Sequence, residues 1–149
     1  MSNADLFADR KTLFVEVVLP LSIAKTYTYR VPFELNDQIQ IGRRVIVQFG
    51  RNKVYSAIIK SITMDAPQKY EAKYIMDVVD EHPIVDEGQL QLWQWMADYY
   101  LCYLGEVMQA ALPAALKLAS ETKIIAANNS DLDRSQLSDK AFLLLDALD

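Results

Sequence analysis

Side chains able to do covalent or acid-base chemistry are scarce in this sequence. His82 is the only histidine and Cys102 the only cysteine. A Ser-His-Asp or Cys-His arrangement would rest on that one imidazole, which sits between Glu81 and Pro83 in a turn, and no GxSxG nucleophile elbow accompanies it. A lone cysteine excludes an internal disulfide and a Cys-rich zinc site, and it fits a reducing, cytoplasmic setting. The four glycines are not arranged as GxxxxGK[ST], so there is no phosphate-cradling P-loop. Asp77, Asp80, Glu81, Asp86 and Glu87 offer carboxylates for acid-base work or cation binding, but beside turns and helix starts such residues usually cap and solvate. The chain therefore reads as a binding module, not an enzyme, with no cofactor and no metal of its own.

Charge points to what is bound. The net charge of −5 argues against a general nucleic-acid binder, yet the charge is unevenly spread. Residues 1–75 hold 11 Lys and Arg against 7 Asp and Glu, a balance of +4, whereas residues 76–149 hold 4 against 13, a balance of −9. A basic front half beside an acidic rear half suggests one face for an anionic partner and another for packing or a different partner. The longest apolar runs, Tyr99 to Leu104 and Ala141 to Leu145, fall far below the roughly 18 residues that cross a bilayer. No membrane partner and no signal peptide are expected.

These side chains need a scaffold. With 149 residues, 52% of them hydrophobic, the chain can bury one core, leaving about thirty residues for a partial second unit. Leu13 to Leu19 is a β-branched run closed by Pro20, a strand buried on both faces or nearly so. Thr26 to Val31 alternates, with Tyr27 and Tyr29 on one face and Thr28 and Arg30 on the other. After Gly42, Val45, Val47 and Phe49 point one way and Arg44, Ile46 and Gln48 the other, and Gly50, Arg51 and Asn52 turn the chain. Lys53 to Thr63 and Tyr74 to Asp80 complete five strands, which implies a small antiparallel barrel or rolled sheet.

The period then lengthens. Asp86 can cap a helix with Gln89 three residues on, and Leu90, Trp93, Ala97, Tyr100 and Leu104 form an inward stripe. A second stripe of Leu92, Met96, Tyr99 and Tyr103 predicts a helix buried over most of its circumference, with Trp93 and Trp95 serving packing. Gly105 breaks or bends it, and Glu106 to Leu112 resumes as helix before Pro113. Glu121 to Ala127 reads as a strand, Asn128 to Gln136 as a polar linker, and Ser138 as the cap of a last helix. The opening Met1 to Ala4 reads as a cloning remnant. The expected division is a tag or disordered stretch at 1–11, a first domain at 12–116, and a linker with the start of a second domain at 117–149.

Four blocks in one order carry a family resemblance: KTYTYRVP at Lys25 to Pro32, GRRVIVQFGR at Gly42 to Arg51, KYIMDVVDEHP at Lys73 to Pro83, and ADYY, GEVM and ALP between Ala97 and Pro113. Together they resemble the N-terminal domain of the PriA replication-restart helicases, over Phe14 to Pro113. The resemblance implies an α+β fold: a small antiparallel barrel-like domain, packed helices, then a truncated winged-helix segment. It implies a module that binds the 3′ terminus of a nascent DNA strand at a stalled fork and so positions the helicase for primosome assembly. The family's pocket falls on Tyr27, Thr28, Gly50 and Lys73. An aromatic ring there stacks on the terminal base, position 28 hydrogen-bonds the base edge or the 3′-hydroxyl, Gly50 offers its backbone, and Lys73 sits near phosphate.

Three departures stand out: Thr28 where an acid is common, Gln48 where a proline precedes Phe-Gly, and Ala57 where a glycine is common. Tyr27 also fits as a core tyrosine, Gly50 as a turn glycine and Lys73 as a solvated lysine. Arg43, Arg44, Arg51 and Lys53 are candidates for tracking DNA phosphates. The full-length relatives are expected to be ATP-dependent 3′ to 5′ helicases using ATP, magnesium and zinc in later domains. The other helicase domains and primosome proteins are then partners. A second reading gives the acidic helical half that docking role.

Overall fold

The computed structural model describes residues 11–117. The expected strand from Glu121, the cap at Ser138 and the winged-helix segment lie outside the described residues, as does the N-terminal stretch up to residue 10. Five strands form, β1 (Phe14–Val18), β2 (Tyr27–Arg30), β3 (Arg44–Phe49), β4 (Lys53–Thr63) and β5 (Ile75–Val78), followed by helices α1 (Glu87–Tyr100) and α2 (Leu104–Ala111). A 3-10 turn at Phe33–Gln38 joins β2 to β3, and another at Ala114–Leu116 follows α2.

The strands lie in the order β2-β1-β4-β3-β5, and every pair is antiparallel. The sheet curls until its two edges approach. A single parallel bridge between Arg30 and Tyr74 joins β2 to the chain entering β5. The result is a half-barrel closed at one point, so the expected α+β class with a rolled antiparallel sheet is what forms.

Alternation fixes which residues go inside. Val15, Val17, Tyr29, Val45, Val47, Ala57, Ile59 and Ile75 line the curled interior. On the opposite face Val18 and Ile58 meet the helices through Leu90, Trp93, Ala97, Val107 and Met108. Strand β4 is therefore sandwiched, with Ala57, Ile58 and Ile59 all fully buried. Each such isoleucine contributes about 1.5–3 kcal/mol by leaving water.

The helices differ from the sequence expectation in three respects. Helix α1 starts as anticipated: the Gln89 backbone N–H donates to Asp86 Oδ1 at 2.7 Å, and the Asp86 N–H donates to Gln89 Oε1 at 2.9 Å. It stops earlier, at Leu101, which takes the left-handed conformation with φ of 52°. The Tyr103 N–H then donates to Glu106 Oε2 at 2.8 Å and starts α2. Gly105 is no breaker but lies inside α2, where a Cβ would come within 2.2 Å of the Leu21 carbonyl oxygen and 2.3 Å of that of Leu19. The glycine is there so that α2 can press on the chain leaving β1.

Finally, α1 is not buried most of the way round. Leu90, Trp93 and Ala97 pack inward, but Leu92, Trp95, Tyr99, Tyr100 and Tyr103 are exposed, with Trp95 stacked on Tyr99 at 5.2 Å. One sheet face accepts only one stripe of a helix, and among the described residues no second layer covers the other flank.

Candidate nucleic-acid interface

The seam where the sheet closes on itself holds a pocket of about 260 Å³, lined by Tyr27, Thr28, Tyr29, Gln48, Phe49, Gly50, Tyr70, Glu71 and Lys73. Three chain segments build it: the edge strand β2, the β3–β4 turn, and the end of the β4–β5 loop. All four anticipated pocket residues, Tyr27, Thr28, Gly50 and Lys73, line this one space.

Hydrogen bonds tie the three segments to one another. The Tyr29 O–H donates to the Gln48 carbonyl at 3.1 Å, joining β2 to the end of β3 just before the turn. Lys73 Nζ donates to the Gly50 carbonyl at 3.0 Å, joining loop to turn. The loop is joined to the strand twice, by the Thr28 N–H donating to Tyr70 Oη at 2.7 Å and the Arg30 N–H donating to the Lys73 carbonyl at 2.8 Å. Thr28 and Arg30 point their amides away from β1, so the loop caps the outer edge of β2. These bonds hold the three segments in fixed relation, which lowers the ordering cost of binding at such a pocket.

The walls are aromatic. Tyr27 meets Phe49 edge to face with centroids 4.9 Å apart, and its ring lies 6.2 Å from that of Tyr70 at an interplanar angle of 52°. Such packing holds the Tyr27 ring at a fixed angle. Burial pushes the Tyr29 phenol up to about 12, with the phenols of Tyr70 and Tyr27 adding to the effect, so Tyr29 stays a neutral donor. Gly50 adopts φ of +72°, and a Cβ built there meets no atom within 4 Å. Conformation, not crowding, calls for glycine at this turn, and the backbone beside it is open to a ligand.

Among the cations, Lys73 stands at the pocket, and Arg51 and Lys53 are exposed in and just after the same turn. Arg43 and Arg44 are not free to track phosphates, which corrects the sequence expectation for both. Each is only 7% exposed. Arg44 forks onto Asp80, with Nε to Oδ2 at 2.8 Å and Nη2 to Oδ1 at 2.5 Å, and also donates from Nη1 to the Leu116 carbonyl at 3.1 Å. These bonds hold the Asp80 carboxyl below its usual range and push the Arg44 guanidinium up. Arg43 donates to the Gln38 carbonyl. Two adjacent arginines at the start of β3 look like a basic patch in sequence, but they clamp β3 to the chain after β5, to the turn before it and to the stretch after α2.

Sequence reasoning missed Tyr29, Gln48, Phe49, Tyr70 and Glu71 as pocket residues. In sequence Phe49 reads as an inward strand residue, and Tyr70 falls between the last two expected strands, where no alternation assigns it a face. An aromatic standing alone among Lys69, Glu71 and Ala72 was the available signal. Of the acidic stretch, Asp80 pairs with Arg44 and Asp86 caps α1. No group of three metal-ligating side chains occurs among the described residues.

A curled antiparallel sheet with an aromatic pocket and a lysine at its seam has the architecture of small barrel-type binding modules. Sequence comparison makes this specific: the 3′DNA-binding domain (3′BD) of PriA matches residues 16–113, and the chain belongs to that family. Among curated proteins it is similar to the replication restart protein PriA of Bacillus subtilis, 31% identical over 122 residues covering 80% of this chain and 15% of that protein. The Treponema pallidum PriA is 29% identical over 68% of this chain and 16% of its own length, and that of Haemophilus influenzae 30% over 69% and 14%. The chain spans about 15% of the length of these relatives.

Proposed function

We propose that the seam pocket receives the 3′-terminal nucleotide of a DNA strand at a stalled fork and that the module thereby positions a replication-restart helicase for primosome assembly. What supports this reading is the convergence of Tyr27, Thr28, Gly50 and Lys73, from three separate segments, on one aromatic pocket. Tyr27 stacks on the terminal base, which by alanine substitution contributes about 1–3 kcal/mol for such contacts and tolerates any base. Thr28 donates to or accepts from the base edge or the 3′-hydroxyl, and the open backbone at Gly50 meets the sugar or phosphate. Lys73 keeps two of its three N–H donors beyond the Gly50 carbonyl for phosphate. Arg51 and Lys53 extend the phosphate track, in place of the buried pair. In this reading an internal nucleotide is disfavoured because its chain would have to continue through the pocket wall that the hydrogen-bonded segments form.

The unit that does this is residues 12–116. In the parent protein it acts with later domains that hydrolyse ATP, with magnesium and zinc, and unwind DNA 3′ to 5′, in the bacterial cytoplasm. The test is a fluorescence anisotropy titration with single strands that differ only in a free or phosphorylated 3′ end. A preference of about tenfold for the free end is expected, on the order of one or two hydrogen bonds. Equal binding of the two strands refutes end recognition.

One observation favours a second role. The exposed flank of Leu92, Trp95, Tyr99, Tyr100 and Leu101 on α1 is apolar beyond what a solvated helix needs. It suits docking of helicase lobes or primosome partners through the helical half. Trp95→Ser should then impair assembly of the parent protein's complexes while leaving strand-end affinity unchanged; loss of strand-end affinity instead would refute it.

A further inference from the structure

We infer that Tyr70 is a ligand-contacting residue of the pocket, its hydroxyl donating a hydrogen bond to the edge of the terminal base while Tyr27 covers the face. The inference rests on the end-binding reading above and assigns a residue and a type of contact to it. Tyr70 lies in the β4–β5 loop, lines the pocket and is 43% exposed, so its phenol is within reach of a ligand. Its oxygen already accepts the Thr28 N–H at 2.7 Å, which fixes its position. A phenol that accepts in this way still has its own proton to give. Among the described residues no acceptor takes that proton. Accepting a hydrogen bond also polarises the O–H and makes it a better donor.

Geometry decides between ring and hydroxyl as the contact. A base sandwiched between two rings needs them parallel and about 7 Å apart, twice the ~3.5 Å contact distance of carbon atoms. The Tyr27 and Tyr70 rings are 6.2 Å apart and tilted by 52°, too close and too oblique for a sandwich. A base lying on Tyr27 therefore presents its edge, not its face, to Tyr70. Each base carries an in-plane acceptor next to the glycosidic bond, purine N3 or pyrimidine O2, so a donor there reads the presence of a base and not its identity.

The experiment compares wild type, Tyr70→Phe and Tyr70→Ala on three 5′-labelled strands of one sequence: one with an ordinary 3′ nucleotide, one with a 3′-terminal abasic sugar bearing a free hydroxyl, and one with a 3′-phosphate. Tyr70→Phe should bind the ordinary strand about three- to tenfold more weakly, the loss of one hydrogen bond, and bind the abasic strand like wild type. Equal loss on both strands would mean that the hydroxyl acts only by latching the loop to Thr28, and would overturn the assignment. So would an ordinary-strand affinity unchanged in Tyr70→Phe, or wild type binding abasic and ordinary ends alike. Melting temperatures confirm that the variants fold. Failure of the end-binding reading shows separately, as wild type binding the free and phosphorylated ends equally.

Discussion

Replacing Arg44 by alanine separates the two roles its sequence position and its surroundings suggest. If Arg44 contacts phosphate, its loss weakens DNA binding and leaves the fold alone; if it serves the fold, the reverse holds. The magnitude follows from the pairing with Asp80. The two side chains are 9% and 14% exposed, and their bidentate contact closes at 2.5 Å. Removing one member of a buried pair costs about 3–5 kcal/mol because the other is left charged and unpaired. Asp80 keeps the Arg44 backbone N–H at 3.2 Å and some access to water, so the lower end applies. A loss of about 3 kcal/mol corresponds to roughly 12–24 °C in Tm for a domain of this size.

A pH dependence accompanies it. Asp80 titrates lower in the folded state than in the unfolded chain because of Arg44, so its contribution is present above the ordinary carboxyl range. It is lost as pH falls from about 4 toward the depressed folded value. That part of the acid-induced loss should vanish in Arg44→Ala. Thermal denaturation followed by circular dichroism at pH 7 and at lower pH measures both effects, and a salt titration of DNA affinity completes the test. Unchanged Tm together with a shallower salt dependence would show that the clamp is not what Arg44 is for.

Four further substitutions have expected outcomes. Lys73→Ala should weaken binding and reduce the log–log salt slope by about 0.7, one single-strand phosphate contact, whereas Tyr27→Ala should leave the slope alone and lower affinity for strands ending in any of the four bases by about 1–3 kcal/mol; parallel titrations at several salt concentrations separate them. Gly105→Ala should prevent or severely weaken folding, since its Cβ would overlap two backbone oxygens at 2.2 and 2.3 Å, and a cooperative melt near that of wild type would contradict the packing. Gly50→Ala meets no atom and should cost only the left-handed strain of about 1–2 kcal/mol, read in chemical denaturation.

Much of the fold was legible because alternation carries it. Tyr27 and Tyr29 on one side of β2, Val45 and Val47 on one side of β3, and the capping pair Asp86 and Gln89 are local patterns, and each formed as expected. What failed depended on contacts distant in sequence. Nothing near Arg44 announces that its partner is Asp80, 36 positions on. The end of α1 was misplaced because a left-handed leucine is rare and a glycine is the usual suspect, while Gly105 was needed for a close approach to Leu19 and Leu21. The anticipated pocket quartet came from family resemblance, not from periodicity, and Tyr70 escaped because a polar loop has no period from which to read a facing.

The loop that caps β2 also has a bearing on solubility. An edge strand with free amides is a template on which another chain can extend the sheet. Here the Thr28 and Arg30 amides are taken up by Tyr70 and Lys73, so the segment that rims the pocket also guards the domain against edge-to-edge self-association. Substitutions that loosen this loop to admit a bulkier ligand would uncover the same two donors, so a gain in ligand range brings a rise in aggregation.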